Sequence, residues 1–337
     1  MLPALSFILL CSATLCGQTE PRTDLRAEMT LLFQNPDGGW PKNVKWDSFK
    51  TLQDAKNAHD QNKPRKSTFD NNATYTQIRN LSKSFKVTEN RRYRQAAKRG
   101  LDFIFREQRH SGGWRGSDVD AITYNDDAMI GVMQLLREVS EGQTHFSWAD
   151  SQTRRDARRA LKRAIRVTLD CQIKVNNRRT GWCQQHDHKS LKPVKARAYE
   201  LPSISGAESV DIVRFLMEIE TPSNEVIEAI EGAVAWFQQS AIKNVRIETY
   251  PIEPVKDGQK IISSDKRVVS EPDAERIWAR FYEIGTNRPF FCNRDGIKVY
   301  SLDQVKLERR TGYSWYGSYA DSLLVRDYPQ WKKRLNR

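Results

Sequence analysis

Three stretches of this chain align on a glutamine and a tryptophan, and no other feature limits its fold as much. The first, AEMTLLFQNPDGGW, carries Gln34 and Trp40; the second, LDFIFREQRHSGGW, carries Gln108 and Trp114; the third, AIRVTLDCQIKVNNRRTGW, carries Gln172 and Trp182. The tryptophans fall 74 and 68 residues apart. Apolar residues hold matching places before each Gln: Met29, Phe103 and Val167 five positions earlier, Leu31, Phe105 and Leu169 three positions earlier. In the second copy Leu101, Ile104, Phe105 and Gln108 sit at i, i+3, i+4 and i+7, one face of a helix. Each copy therefore reads as an amphipathic helix ending in a Gly-bearing loop that presents a Trp. Self-similarity of this kind marks a repeated supersecondary unit.

A second helix follows each loop and opens on polar or acidic residues. These are Asp70-Asn71-Asn72-Ala73-Thr74, Asn125-Asp126-Asp127-Ala128-Met129 and Gly206-Ala207-Glu208-Ser209. A single such cluster is accounted for by helix capping and the helix dipole. Three in equivalent places put polar groups at one end of an array of helical hairpins. The expected fold is mainly α, an α/α toroid whose loops converge on a cleft, reaching to about residue 241. Residues 230–241, with Trp236, read as a further outer helix. Beyond them residues 245–250 alternate like a strand and Pro-, Asp- and Gly-bearing loops follow, so 242–337 is expected to be an irregular, β-containing elaboration. Arg294-Asp295-Gly296 reads as a hairpin turn.

Composition narrows the partners. With 38% hydrophobic and 29% charged residues the chain can build a core, and its net charge of +13 calls for an acidic partner. Nucleic acid, an anionic membrane surface and an acidic polysaccharide all satisfy charge alone. The apolar run at residues 2–10, followed by small residues, is too short to span a bilayer and reads as a secretory signal, although no Lys or Arg precedes it. Residues 1–18 are then removed, 19–337 form the mature domain, and the protein is secreted or periplasmic. Export and the lack of a recognised motif argue against nucleic acid, and a monomer free of membrane is expected. Removing Cys11 and Cys16 leaves Cys171, Cys183 and Cys292, which permit one bridge, Cys171 to Cys183, or three buried thiols. The basic run from Arg154 to Arg166 reads as a solvated helix face, with a polyanion track as the alternative.

The candidate chemistry lies in two places. Asp70, Asn71, Asp126 and Asp127 offer hard oxygen ligands, which suit Ca²⁺ or Mg²⁺ better than zinc. His186-Asp187-His188 is half of a zinc site if it forms a strand, with no other His nearby in sequence. No Gly-rich phosphate loop or Ser nucleophile elbow is present. The second place is the span 181–213, kept from helix by Pro193, Pro202 and Gly206. Within it Lys195 and Arg197 are two apart, so in extended chain they share a face. Tyr199 and Glu200 would complete a proton-transfer group there. Arg280, Arg288 and Arg294 interleave with aromatics near the C-terminus, as a ligand wall or as Arg–aromatic stacking that finishes a small subdomain.

Several motifs carry a resemblance. GGWPKN at 38–43, GGW at 112–114, DNNAT, ITYNDDAM, GWCQQHD, KARAYELPS, RIWARFYEIGTNRPFFCNRDG and RRTGYSWYG occur in order from about residue 25 to 324. The chain in this respect resembles the family 10 polysaccharide lyases, which are pectate lyases. Only residues 115–121 separate Trp114 from Ile122, where some relatives carry a longer aromatic segment. The resemblance implies an α/α toroid that cleaves polygalacturonate by Ca²⁺-dependent anti β-elimination. It implies that Asp70 and Asp126, with Asn71 and Asp127 less strictly, hold the Ca²⁺, that Arg197 is the base with Lys195 as runner-up, and that Arg280 and Arg294 clamp substrate carboxylates. Arg288, Tyr199 and the loop tryptophans Trp40, Trp114 and Trp182 are further candidates for substrate contact. A guanidinium titrates above 12 and is awkward as a base, so neighbouring cations are expected to disfavour its charge. Two other readings compete: a toroidal glycoside hydrolase using Asp70 with Asp126 or Glu208, and a non-catalytic protein that binds acidic polysaccharide.

Overall fold

The structure, a computed structural model, describes residues 22–61, 65–258 and 260–335; the expected signal segment, with Cys11 and Cys16, lies outside them. Ten α-helices are present among the described residues: α1 (Leu25–Leu32), α2 (Leu52–Gln61), α3 (Tyr75–Thr88), α4 (Arg91–Glu107), α5 (Ala128–Glu141), α6 (Ser151–Cys171), α7 (Glu208–Met217), α8 (Asn224–Ser240), α9 (Leu307–Gly312) and α10 (Tyr328–Leu335). Helices α3, α5 and α7 touch in succession, as do α4, α6 and α8, and the two rows pack as the pairs α3–α4, α5–α6 and α7–α8. Helices α5 and α7 are buried over most of their surface, whereas α4 and α6 turn Arg- and Lys-rich faces outward. The repeated helical hairpins expected from sequence are thus present, and α8 is the further outer helix.

Each copy of the repeat is closed by the same pair of side chains. The indole Nε1–H of Trp40, Trp114 and Trp182 donates to the carbonyl of Thr30, Ile104 and Thr168, at 2.8, 2.8 and 2.7 Å. The glutamine amide of Gln34, Gln108 and Gln172 donates twice, once to its own loop (Gly38, Gly112, Thr180) and once to the next outer helix (Ala96, Ala160, Ala229), all at 2.8 to 2.9 Å. The indole bonds satisfy carbonyls that the helix ends leave open, and the glutamine bonds satisfy the loop and tie it to the flank of the next outer helix. In the first two copies the glycine is required by geometry. Gly38 and Gly112 have φ of 95° and 108°, and a Cβ there would meet the carbonyl oxygen of Arg99 or Arg163 at 2.4 or 2.6 Å. The three tryptophans are wholly buried. This corrects their assignment to substrate contact: the loops present the indoles inward, because an indole that fills the core and donates to a helix carbonyl cannot also face a ligand.

Some expectations give way to local detail. The acidic clusters do not cap their helices: Thr74, Asp127 and Ala207 hold the capping positions of α3, α5 and α7 without a side-chain capping bond. Side-chain caps appear instead at Asp24, Asn90, Asp150 and Ser223. Cys171, Cys183 and Cys292 are buried free thiols, so the bridge is not made. Strand Gln185–Asp187 does form, against Ala121–Thr123, yet His186 is buried, accepts from the Cys183 N–H at 3.0 Å and contacts the Leu191 carbonyl at 2.9 Å. Both ring nitrogens are used, which removes the zinc reading. The basic face of α6 is exposed, as expected, with Arg158 also reaching the Ser140 carbonyl at the end of α5 and Arg163 the carbonyls of Arg109 and His110.

Past α8 the chain forms a long antiparallel hairpin, Val245–Asp257 with Lys260–Ser270, and then short strand pairs. Phe291–Cys292 pairs with Lys298–Val299 around Arg294-Asp295-Gly296, as expected. A second, smaller core of Tyr199, Phe281, Phe290, Phe291, Leu302 and Trp315 lies beneath this region, beside the main core that runs from α1 to Trp331. No described helix is long and apolar enough to cross a membrane.

Trp114→Ala is expected to cost about 3–5 kcal/mol through the cavity and the abandoned Ile104 carbonyl. Gln108→Leu, which leaves the Gly112 carbonyl without a donor and unties the loop from α6, is expected to cost about 1–3 kcal/mol. Denaturant unfolding measures both; a Trp114→Ala midpoint equal to wild type would refute the structural role.

Candidate active site

The site is set by what the Trp loops do to the start of the next helix. The Trp40 N–H donates to Thr74 Oγ1 at 3.0 Å, and that hydroxyl donates to the Thr68 carbonyl at 2.8 Å. The equivalent bond in the third copy runs from the Trp182 N–H to Ser209 Oγ. In the second copy the Met129 sulfur takes this place. The residues in between are folded into left-handed backbone: Asn71, Asn72, Asp126 and Asp127 have φ of 51°, 63°, 54° and 59°. Asn and Asp tolerate this region better than other residues with a Cβ. The polar clusters therefore serve a backbone conformation that aims side chains at the cleft, in place of the capping expected of them. The first two copies are joined directly by the Asn71 N–H to Asp126 carbonyl bond at 3.0 Å.

Asp70 is almost wholly buried. Its Oδ2 accepts from Lys42 Nζ at 3.1 Å, from the Ser117 N–H at 2.9 Å and from the Ser117 hydroxyl. Its Oδ1 is buried and has no partner. A Cβ on Gly116 would lie 2.4 Å from that same oxygen, so glycine is what leaves it room. Asp126 sits near enough for the two charges to interact: burial and then Asp70 raise its pKa, against the opposing pull of Arg197 and Lys42. Burial, with Glu208, likewise raises Asp127. Asn71 is exposed and its amide donates to Asn43 at 3.0 Å.

A cleft of about 330 Å³ opens beside these residues, with Asp126, Asp127, Glu208, Asp211, Arg280 and Tyr319 in its wall. A second hollow of about 550 Å³ lies on the other side of Asp70, where Lys42, Arg65, Lys66 and Arg115 contribute four cations. Arg280 is paired with Glu208, donates to Asn125 at 3.2 Å and stacks on Tyr313 at 4.9 Å. Burial would push Glu208 upward, but Arg280 and the bonds from Ser205 and Gln184 hold it below the usual carboxylate range. A carboxylate held ionised in this way does not serve as the general acid of a hydrolase.

Arg197 occupies a tight turn closed by the Ala196 N–H to Glu200 carbonyl bond at 3.0 Å and the Glu200 N–H to Arg197 carbonyl bond at 2.9 Å. The turn breaks the extended geometry assumed for residues 195–197. Arg197 is half-buried against Glu200 and near Asp118, at 3.9 Å. Lys195 is exposed, and its ammonium points toward Gly296. The hydrogen bond that Arg197 donates to Glu200 is the main cause that drives its pKa upward. Glu200 and Asp118 thus oppose the effect expected of a nearby cation and flanking arginines. Tyr199 is buried, and its ring carries Arg309, Arg197 and Arg294 at 4.8, 5.3 and 5.7 Å, so it positions guanidiniums and does not itself face the cleft. Arg294 is exposed and forked onto Glu308. Arg288 stacks on Tyr300 at 3.7 Å and is not among the residues lining the cleft.

Sequence reasoning passed over Lys42, Ser117, Asn125 and Tyr313, whose hydroxyl donates to Glu200 at 3.0 Å. Lys42, Asn125 and Tyr313 lie inside the GGWPKN, ITYNDDAM and RRTGYSWYG motifs, which carried the signal; Ser117 had none that set it apart. Among the described residues no group of three His, Cys, Asp or Glu side chains could hold a metal. A cation here would rest on the two carboxylates of Asp70 and Asp126 and take its other ligands elsewhere. The unpartnered Asp70 oxygen and the raised Asp126 both fit a missing positive charge.

Repeated helical hairpins that gather buried carboxylates and stacked guanidiniums around one cleft define a protein that handles an acidic chain. The chain belongs to the pectic acid lyase family, whose model matches residues 34–324, and it is a polysaccharide lyase. It is similar to the family 10 polysaccharide lyase from Cellvibrio cellulosa, with 30% identity, a TM-score of 0.75 and coverage of 92% of both chains. A mutant of that enzyme in complex with trigalacturonic acid matches with 31% identity and a TM-score of 0.76, over 90% of this chain and 91% of the other. No curated protein matches it in sequence.

Burial raises Asp126, so its contribution to stability is greatest below the unfolded pKa near 3.9 and is lost as pH rises through the folded value. Asp126→Asn is therefore expected to raise the melting midpoint of the metal-free protein at pH 8 and to leave it unchanged at pH 3.5. A variant no more stable than wild type at pH 8 would contradict the burial of this charge.

Proposed function

We propose that this protein is a secreted or periplasmic pectate lyase that cleaves polygalacturonate by Ca²⁺-dependent β-elimination. The observation that carries the metal is the buried, unpartnered Oδ1 of Asp70 beside the raised Asp126. In this reading Asp70 and Asp126 hold the ion, with Asp127 in the same cleft wall. The ion, when bound, neutralises charge that gathers on the galacturonate carboxylate as the C5 proton leaves. Arg280 already donates to Asn125 and Glu208 at the cleft and is placed to grip a second substrate carboxylate. Arg294 extends the same role outward.

Arg197 is the proposed acceptor of the C5 proton. Glu200 opposes that role by holding the guanidinium charged, and Tyr313 steadies Glu200. The elimination moves the C5 proton to the base, the C5 electron pair into the new C4=C5 bond, and the C4–O pair onto the leaving sugar. The pairing with Glu200 also supports a second reading, in which Arg197 stays charged and donates to the developing enolate while hydroxide removes the proton.

Polygalacturonate incubated with the purified protein is expected to gain ultraviolet absorbance from the unsaturated product, and chelator is expected to stop it. New reducing ends without absorbance would point to hydrolysis and sink the proposal. Arg197→Ala is expected to lower kcat by about 10²–10⁴-fold. Glu200→Gln distinguishes the two roles of Arg197. Removing the carboxylate lowers the Arg197 pKa, so the ascending limb of kcat against pH is expected to move to lower pH if Arg197 is the base. A limb that stays in place would assign Arg197 as a fixed cation.

A further inference from the structure

The long hairpin has no obvious place in the reaction. Two-stranded hairpins are marginal in water unless something packs on them. This one is held at its base. Arg310 forks onto Asp265 with two bonds of 2.6 Å, the Tyr250 hydroxyl donates to the same carboxylate at 3.2 Å, and Lys266 Nζ reaches the Thr311 carbonyl at 3.4 Å. Glu248 is likewise spent at the base, between Arg246 and Arg267. The tip is different. Lys256 and Lys260 flank its turn and form no ion pair among the described residues, nor does Lys306 across from them.

Between the tip and the start of α9 lies a groove of about 770 Å³. Its wall carries Lys256, Lys260, Lys306, Arg294 and Arg309 against only Asp257 and Glu308. Glu308 is already divided between Arg294 and Arg309, so the three lysines are left with uncompensated charge. Val255, Ile262 and Leu307 form an apolar strip among them, and Val255 is 45% exposed. Cations lining an apolar strip match a uronate chain, which has carboxylates along its edges and C–H faces on its rings. The groove also joins the active site: Arg294, in its wall, stacks on the Tyr199 ring that carries Arg197.

We infer that this groove is an accessory binding site for an extended acidic polysaccharide, and that it holds the part of the polymer lying beyond the catalytic cleft. The site rests on the lyase reading only for the identity of the polymer. The hairpin would then raise the local concentration of long chains over short ones without touching the reacting sugar.

The test pairs a double variant, Lys256→Glu with Lys260→Glu, with the single variant Lys306→Glu in the full chain. With polygalacturonate as substrate, the KM of each is expected to rise about fivefold or more at low salt while kcat holds, and the difference is expected to shrink at high salt. Trigalacturonate, the short substrate in this comparison, is expected to give wild-type parameters in both variants. Unchanged KM on the polymer would overturn the inference, and so would an equal loss on the trimer. Affinity electrophoresis through polygalacturonate gel, using Arg197→Ala with and without the lysine changes, gives a readout that needs no turnover. Retardation lost with the lysines supports the groove even if no lyase activity is found; retardation unaffected by them refutes it even if the lyase reading stands.

Discussion

The Gln–Trp staple is the interaction on which the rest of the molecule depends. A helical hairpin cannot bury its apolar face alone, and stacking three of them requires that each loop be joined to the neighbouring pair. One glutamine amide does this by donating both protons, one to its loop and one to the next outer helix. The indole then fills the space under the loop and donates to the helix it came from. An exposed loop in these positions would leave carbonyls open and the helices free to slide. With the staples in place, the starts of α3, α5 and α7 are brought to one end of the molecule with little latitude.

That latitude matters because the site is electrostatically unfavourable by itself. Two aspartates share a partly dry space, and burial already raises one of them. Lys42 and Ser117 saturate one oxygen of Asp70 and leave the other open, while Gly116 keeps the approach clear. Such a geometry persists only where the surroundings over-determine it. The left-handed residues between Asp70 and α3, and between Asn125 and α5, are fixed by the same hydroxyl, sulfur and backbone bonds that the staples orient. Stability from the repeat is thus what permits a buried and a half-buried carboxylate with one paired cation, Lys42, at its end.

How much of this was legible in the sequence follows from how local each cause is. The helical hairpins were, because the apolar period and the Gln–Trp spacing are written along the chain. Asp70 and Asp126 were legible as polar residues at repeated places and Arg280 as one of the arginines interleaved with aromatics; Asp126 and Arg280 line one cleft, and Asp70 interacts with Asp126. The tryptophans misled, since a Gly-rich loop gives no sign of which way its aromatic turns; burial was decided by carbonyls ten or more residues away. The acidic clusters looked like caps because a cap and a left-handed turn favour the same residue types. Lys195 and Arg197 were paired by an extended-chain rule that the turn at Arg197–Glu200 overrides. No pattern within a segment could show that Glu200, three residues on, would hold the Arg197 guanidinium charged.

The C-terminal elaboration supplies what the helical end of the cleft lacks. The helical hairpins supply the carboxylates Asp70, Asp126, Asp127 and Glu208, with Lys42 as the cation paired to Asp70. Arg280, Arg294, Arg309 and Tyr313 come from the later chain and are held by their own small core. Tyr199 and Tyr313 are the joints: each is an aromatic face on which guanidiniums rest, and Tyr313 also donates to Glu200. Stacking lets guanidiniums crowd together because the ring face attracts cations: Arg197, Arg294 and Arg309 all rest on Tyr199, and the last two share the one carboxylate of Glu308. Fewer carboxylates than guanidiniums leave part of their donor capacity for an acidic polymer.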